Sequence, residues 1–209
     1  MKVAVILPAA GLGTRMGRVS AEKTGTSRKQ FMRLDGAPIF VYTARKFDAT
    51  PEVSEIVIAV RAEDKEWVEE CIGAEKWLKQ VRVVEGGDSR QQSVENALGS
   101  VAKDTDLVAV HDAVRPFIDP ETIARVIQEA AESGAAIVGI VPVDTVKQVT
   151  RMEAHRAKIR STLPRERLVL PSSRPVQNSS IAATAPASHG PQYGWSSATN
   201  GANHKPVPG

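Results

Sequence analysis

Short apolar runs alternate with longer segments of helical period through most of the chain. Val3–Leu7 is continuous, rich in branched residues and closed by Pro8 and a glycine-rich stretch, which predicts a first strand buried on both faces. Ile56–Val60, Val81–Val84 and Leu107–Val110 repeat the pattern, and Ala135–Val141 reads as a last core strand. Between them, Pro38–Phe47, Asp64–Leu78 and Arg90–Val101 read as helices. In the third, Val94, Ala97, Leu98 and Val101 fall at i, i+3, i+4 and i+7. Ser89 and Gln92 predict a capping box at its start. Asp119-Pro120 supplies an N-cap and an N1 proline for a further helix, with Ile123, Val126, Ile127, Ala130 and Ala131 on one face and Gly134 as its stop.

Strand and helix in strict alternation predict an α/β fold, a doubly wound, mostly parallel sheet of the Rossmann-like type. Such sheets bind ligands beyond the carboxyl ends of their strands. A site is therefore expected in the loops at 8–17, 85–93, 111–116 and 142–147.

Composition narrows this picture. With 209 residues, 42% hydrophobic but only 4% aromatic, the chain predicts one domain with an aliphatic core. Residues 171–209 are rich in Ser, Ala, Pro, Gly and Asn without apolar period. They predict a low-complexity, disordered tail beyond a domain at 1–170. The net charge of +3 does not mark a nucleic-acid binder. Arg174 and Lys205 lie in the acid-free tail, so the rest holds 25 of the 27 basic residues against all 24 acidic ones, with no basic stripe. No segment approaches the roughly 20 apolar residues of a membrane span. The apolar run after Met1-Lys2 is too short for a signal peptide. The lone Cys71 cannot form an intrachain disulfide, which fits a reducing compartment, and a cytoplasmic protein is expected.

The candidate chemistry begins with Pro8-Ala9-Ala10-Gly11-Leu12-Gly13-Thr14-Arg15-Met16-Gly17. Small residues directly after a strand let backbone N–H groups approach and cradle phosphate oxygens. The glycine spacing is not that of a dinucleotide-binding turn, and no G-K-[ST] follows, so it is not a Walker A loop. Arg15 in the loop and Lys29 shortly after it supply two cations, which suits nucleotidyl transfer, where catalysis is mostly positioning and charge stabilisation. Gly86-Gly87-Asp88-Ser89-Arg90 makes a tight turn into a helix, with short polar groups fit for a base edge. His111-Asp112-Ala113-Val114-Arg115-Pro116 places an acid beside a base at a strand end.

P-A-A-G-x-G-x-R-M-G followed by K-Q-F, with G-G-D-x-R-x-x-S-V and H-D-A-x-R-P, resembles the 2-C-methyl-D-erythritol 4-phosphate cytidylyltransferase family over about residues 2–170. The resemblance implies a nucleotidyltransferase fold and transfer of CMP from CTP to the polyol phosphate, with release of pyrophosphate. It implies that Ala9, Ala10, Gly11 and Gly13 cradle the triphosphate, that Arg15 and Lys29 are catalytic, and that Gly87, Asp88 and Ser93 contact the cytosine side. Asp112 then faces the ribose, the metal or the acceptor, with Arg115, Thr145 and Arg165 on the acceptor. Mg²⁺ is expected chiefly on the CTP phosphates, without a dedicated protein cage. A protruding arm at about 144–167 implies a homodimer. Ribitol 5-phosphate as acceptor and a CTP-binding chain without catalysis are the competing readings.

Two departures from the family pattern stand out. The loop Arg18–Arg28 is longer than the family's link, with Arg28 in place of the usual proline before Lys29. After Leu170, the family's T-P-Q, T-D-E and N-I-K motifs have no counterparts. A replaced or frameshifted segment from Pro171 is therefore expected, and with it weak activity and marginal stability. Translation of the other two frames of the coding DNA from codon 171 tests this, and the absence of a T-P-Q-like continuation in either would dismiss it.

Overall fold

The structure, a computed structural model, describes residues 1–11, 29–140, 142–153, 156–165, 168, 170–171 and 181–184. Gly13, Arg15, most of the glycine-rich loop and the loop at 18–28 lie outside the described residues.

The first strand, β1, runs Val3–Pro8 with its first five residues buried. A 3-10 turn at Lys29–Phe31 precedes a small hairpin, β2 (Arg33–Leu34) and β3 (Ala37–Pro38). The hairpin turns through Asp35 and Gly36, both at positive φ (45° and 88°), where glycine carries no Cβ penalty. Helix α1 (Ile39–Asp48), β4 (Val53–Val60), α2 (Lys65–Gly73) and β5 (Gln80–Glu85) follow. Next come α3 (Arg90–Leu98), β6 (Leu107–His111) and α4 (Pro120–Ser133).

Beyond α4, β7 (Ala135–Ile137) and β8 (Gly139–Ile140) lead to a two-stranded antiparallel arm, β9 (Lys147–Glu153) with β10 (Arg156–Thr162). The short β11 (Leu170–Pro171) pairs with β8, and β12 (Ile181–Thr184) enters the main sheet.

That sheet has the order β5-β4-β1-β6-β12-β7. β5, β4, β1 and β6 are mutually parallel, as strand–helix alternation demands. β12 runs antiparallel to β6 on one side and to β7 on the other. One apolar cluster joins Val3, Val5, Leu7, Ile56 and Ile58 to Phe40 and Phe47 of α1 and Ile123 and Ile127 of α4. On the opposite face Ile6, Val57, Val108 and Val110 meet Ala97 of α3. Helices thus cover both faces, which is why these strands read as continuous apolar runs.

Ala135–Val141 is not one core strand. It divides into β7 and β8, and Ile137 is 58% exposed because β7 lies at the sheet edge. Val141 lies outside the described residues. The segment beyond 170 was expected to lack regular structure, yet β12 separates β7 from β6. Its backbone satisfies the ladder groups of both neighbours, a gain that side-chain pattern does not display.

α2 stops at Gly73 rather than at Leu78. The Trp77 indole N–H donates to the Ile72 carbonyl, and the N–H groups of Leu78 and Lys79 donate to the buried Asp48 carboxylate, turning the chain into β5. α3 likewise ends at Leu98 rather than Val101. α4 matches its signals, with the Asp119 side chain accepting from Thr122 N at 2.7 Å and Gly134 left-handed at φ 85°.

Candidate active site

The carboxyl ends of β1, β4, β5 and β6 open on one cleft of about 480 Å³, in the size range of small-molecule sites. Its walls bring together most of the described residues singled out from sequence. Ala9, Ala10 and Gly11 come from the end of β1, and Lys29 from the 3-10 turn. Gly87, Asp88 and Ser93 come from the turn into α3, and Asp112 from the end of β6.

Each wall is fixed by its own chemistry. Ala9 N donates to Ala59 O at 2.7 Å, carrying the sheet ladder one step beyond β1. The buried Gln30 side chain donates through Nε2 to Ala9 O at 2.7 Å and Gly11 O at 3.0 Å. Arg61, immediately after β4, donates through Nε to Ala10 O at 3.2 Å. Lys29 is held at the rim because Phe31, two residues on, packs edge-on to Phe40 and Trp67 with ring centroids 6.0 and 5.0 Å away.

The turn into α3 depends on Gly86. A Cβ there would stand 2.9 Å from both Ala10 Cβ and Ser93 Oγ, so its absence lets the β1 loop and the α3 turn touch. Ser93 is buried, and its hydroxyl accepts from Gly87 N at 3.1 Å and donates to Ser89 O at 2.8 Å. It therefore shapes the turn from within. The capping box is split: Ser89 Oγ accepts from Gln92 N, but Gln92 Oε1 accepts from Asp88 N at 3.2 Å instead of from Ser89 N. That bond pins the backbone of Asp88, whose side chain stays exposed.

At the end of β6, the Asp112 carboxylate lies between two guanidiniums. Arg90 donates to Oδ1 through Nε and Nη2 at 3.1 and 3.0 Å, and Arg115 Nε donates to Oδ2 at 3.0 Å. The loop carrying Asp112 and Arg115 is held from beneath, since Thr43 Oγ1 of α1 donates to Ala113 O at 2.8 Å. His111 is fully buried beside Phe47, with Nε2 3.0 Å from Arg115 O. A carbonyl only accepts, so Nε2 carries the hydrogen.

Burial pushes the His111 pKa down from 6.5 to about 4, against the opposing pull of its bond to the Arg115 carbonyl. The unfolded chain thus takes up a proton below about 6.5 that the folded chain refuses until about 4. Stability should fall as pH drops through that window, by about 3 kcal/mol in total. Urea unfolding at pH 7 and pH 4.5 measures it. His111→Asn should flatten this part of the profile, and an unchanged pH slope in the variant would assign the loss to other groups.

Not every expected residue reaches the cleft wall. Arg115 does not line the cleft and is bonded to Asp112, which does. Thr145 is exposed at the base of the arm, and the Arg165 guanidinium donates to Val143 O. Gly13 and Arg15 fall outside the described residues. Sequence reasoning missed Gln30, Arg61 and Arg90 as wall residues. Arg61 had a readable signal, a cation directly after the carboxyl end of a parallel strand.

Among the described residues no three His, Cys, Asp or Glu groups cluster, and both Asp112 oxygens accept from arginines. Among the described residues, too, no helix is long and apolar enough to cross a membrane.

A small-residue loop, a nearby lysine and a polar turn, all at the carboxyl edge of a parallel sheet, make a cleft fitted to a phosphorylated ligand of an α/β fold. The comparisons specify it further. The family model for 2-C-methyl-D-erythritol 4-phosphate cytidylyltransferase matches residues 3–174. The protein of that name from Solibacter usitatus is 66% identical over 170 residues, covering 81% of this chain and 69% of that one. Its counterpart from Acidobacterium capsulatum is 51% identical over 170 residues, with 81% and 70% covered.

Among solved structures, 2-C-methyl-D-erythritol 4-phosphate cytidylyltransferase from Thermus thermophilus superposes with a TM-score of 0.57 at 28% identity, covering 90% of this chain and 72% of that one. 4-Diphosphocytidyl-2C-methyl-D-erythritol synthase from Anaerococcus prevotii gives a TM-score of 0.67 over 88% and 70%, at 21% identity, and speaks for the fold alone. The chain belongs to the 2-C-methyl-D-erythritol 4-phosphate cytidylyltransferase family, and its class is that of the nucleotidyltransferase enzymes.

Proposed function

We propose that this chain transfers CMP from CTP to 2-C-methyl-D-erythritol 4-phosphate and releases pyrophosphate. The observation that carries the reading is the convergence of the Ala9–Gly11 loop, Lys29 and the Gly87–Ser93 turn on one cleft. An oxygen of the acceptor phosphate bonds to the α-phosphorus of CTP. The bond from that phosphorus to the bridging oxygen breaks, and its electron pair leaves with pyrophosphate.

The loop at Ala9–Gly11, continued by Gly13 and Arg15, cradles the triphosphate. Lys29 and Arg15 balance the charge that builds on the phosphoryl oxygens. Gly87 and Asp88 hold the cytosine edge on a turn that Ser93 keeps tight. Asp112 faces the ribose, the metal or the acceptor while restraining Arg115 beside the acceptor, Thr145 touches the acceptor, and Arg165 takes the acceptor phosphate across the dimer. Mg²⁺ would be held chiefly by the CTP phosphates, and the chemistry it would supply there is charge neutralisation.

Pyrophosphate release from CTP and the polyol phosphate, with Arg15→Ala as control, is the direct test. Release that the substitution abolishes supports the reading. CTP binding without release would favour the non-catalytic alternative, and preferential turnover of ribitol 5-phosphate would move the acceptor assignment.

The chain is proposed to act in the cytoplasm as a homodimer through the β9–β10 arm. In support, Val149 and Ile159 face each other across the arm and are 43% and 60% exposed. Adjacent apolar side chains left open on a two-stranded ribbon favour a covering partner. Val149→Glu combined with Ile159→Glu is expected to convert dimer to monomer in light scattering, and an unaltered dimer mass would exclude this surface.

A further inference from the structure

Three consecutive carbonyls of the β1 loop are each held by a side chain from elsewhere in the chain. Gln30 Nε2 takes Ala9 O and Gly11 O, and Arg61 Nε takes Ala10 O. A primary amide has two N–H donors, and both of Gln30's are committed to this loop. Gln30 is only 4% exposed, so the bonds form where water competes poorly and where an unpaired loop carbonyl would be costly.

Two consequences follow. A peptide's carbonyl and N–H point in opposite directions, so fixing the Ala9 and Ala10 carbonyls also fixes the directions of the Ala10 and Gly11 N–H groups. Gln30 also shares its 3-10 turn with Lys29, so one clamp sets the distance between the loop and the lysine. Ala9, Ala10, Gly11, Lys29 and Arg61 all face the same cleft.

We propose that Gln30 is a positioning residue that pre-organises the nucleotide loop, with Arg61 as its second brace. It touches no reacting atom in this scheme. It keeps the loop's N–H groups aimed for the triphosphate and ties them to Lys29. The inference rests on the proposed use of CTP, and it predicts a loss concentrated on the nucleotide and not on the acceptor.

The test uses the full chain in three forms: wild type, Gln30→Met and Gln30→Asn. Methionine keeps the length and removes both donors. Asparagine keeps the amide but is one methylene shorter and cannot reach both carbonyls from the same backbone position. In the ligand-free protein, amide exchange at Ala9, whose N–H donates to Ala59 O, is expected to accelerate in Gln30→Met while exchange within β1 stays slow. The CTP dissociation constant is expected to rise about tenfold or more in Gln30→Met and by less in Gln30→Asn. KM for the polyol phosphate should hardly move.

A residue that serves only the core would lower the melting temperature without this split. Unchanged exchange at Ala9, or wild-type CTP affinity in a folded Gln30→Met, overturns the proposal. Should the methionine variant fail to fold, the asparagine variant decides by the same two readouts. A wild-type chain that fails to bind CTP sinks the proposed function and this inference together, whereas loss confined to the variants would leave that function standing.

Discussion

Lys29→Ala is expected to lower pyrophosphate release by about 10²–10³ in kcat, with a smaller change in KM for CTP. The reason is geometric. The lysine stands at the mouth of the cleft on a turn whose other residues are buried, Gln30 against the loop carbonyls and Phe31 against Phe40 and Trp67. Truncation therefore removes the cation and leaves the turn anchored. A charge fixed by its scaffold needs no reorganisation as negative charge moves onto the leaving pyrophosphate, so its loss falls on the transition state more than on binding.

Lys29→Arg should recover only part of the rate, because a planar fork does not occupy the place of a compact ammonium. Melting temperatures should stay close to wild type in both variants. Steady-state kinetics with saturating acceptor gives the answer, and a Lys29→Ala rate within about threefold of wild type would remove Lys29 from the catalytic set.

The parallel half of the sheet was legible for a physical reason. β1, β4 and β6 are covered on both faces, so burial left runs such as Val3–Leu7 with hardly a polar residue. The site was legible where it used residues that backbone geometry demands, such as Gly86, whose missing Cβ admits Ala10 and Ser93. β12 was not. Ile181–Thr184 is four residues long in a Ser- and Pro-rich segment, and what marks it as a strand is the pairing offered by β6 and β7. Gln30 was hidden for a related reason. Its partners are backbone carbonyls, which have no side-chain signature, so its neighbour Lys29 drew the attention. The Asp112 pairing with Arg90 was also out of reach, since 22 residues separate two groups that meet only after β6 and α3 are placed.

A buried acid at the other end of the sheet gives the second large effect. Glu55, near the start of β4, is 4% exposed, and its carboxylate accepts from Arg82 Nη2, from Ala102 N at 2.8 Å and from Thr105 Oγ1 at 3.4 Å. Those bonds join β4, β5 and the loop that leads into β6. Glu55→Ala would strand the Ala102 N–H and leave the Arg82 guanidinium, already with an unpaired Nε, without its counter-charge. Removing one member of a buried pair costs about 3–5 kcal/mol, and the partial exposure of Arg82 places this case at the lower end.

Glu55→Gln should cost less, since the amide oxygen still accepts from Ala102 N. Adding Arg82→Met to Glu55→Ala should restore part of the loss, because the orphaned charge goes with its partner. The site lies at the carboxyl ends of the strands and Glu55 near the amino end of β4, so CTP affinity in the folded variant should equal that of wild type. Urea unfolding of the two single variants and the double variant, beside a CTP titration, separates the effects. A stability loss below about 1 kcal/mol in Glu55→Ala would show that water reaches these groups and that the carboxylate is not what binds the three segments together.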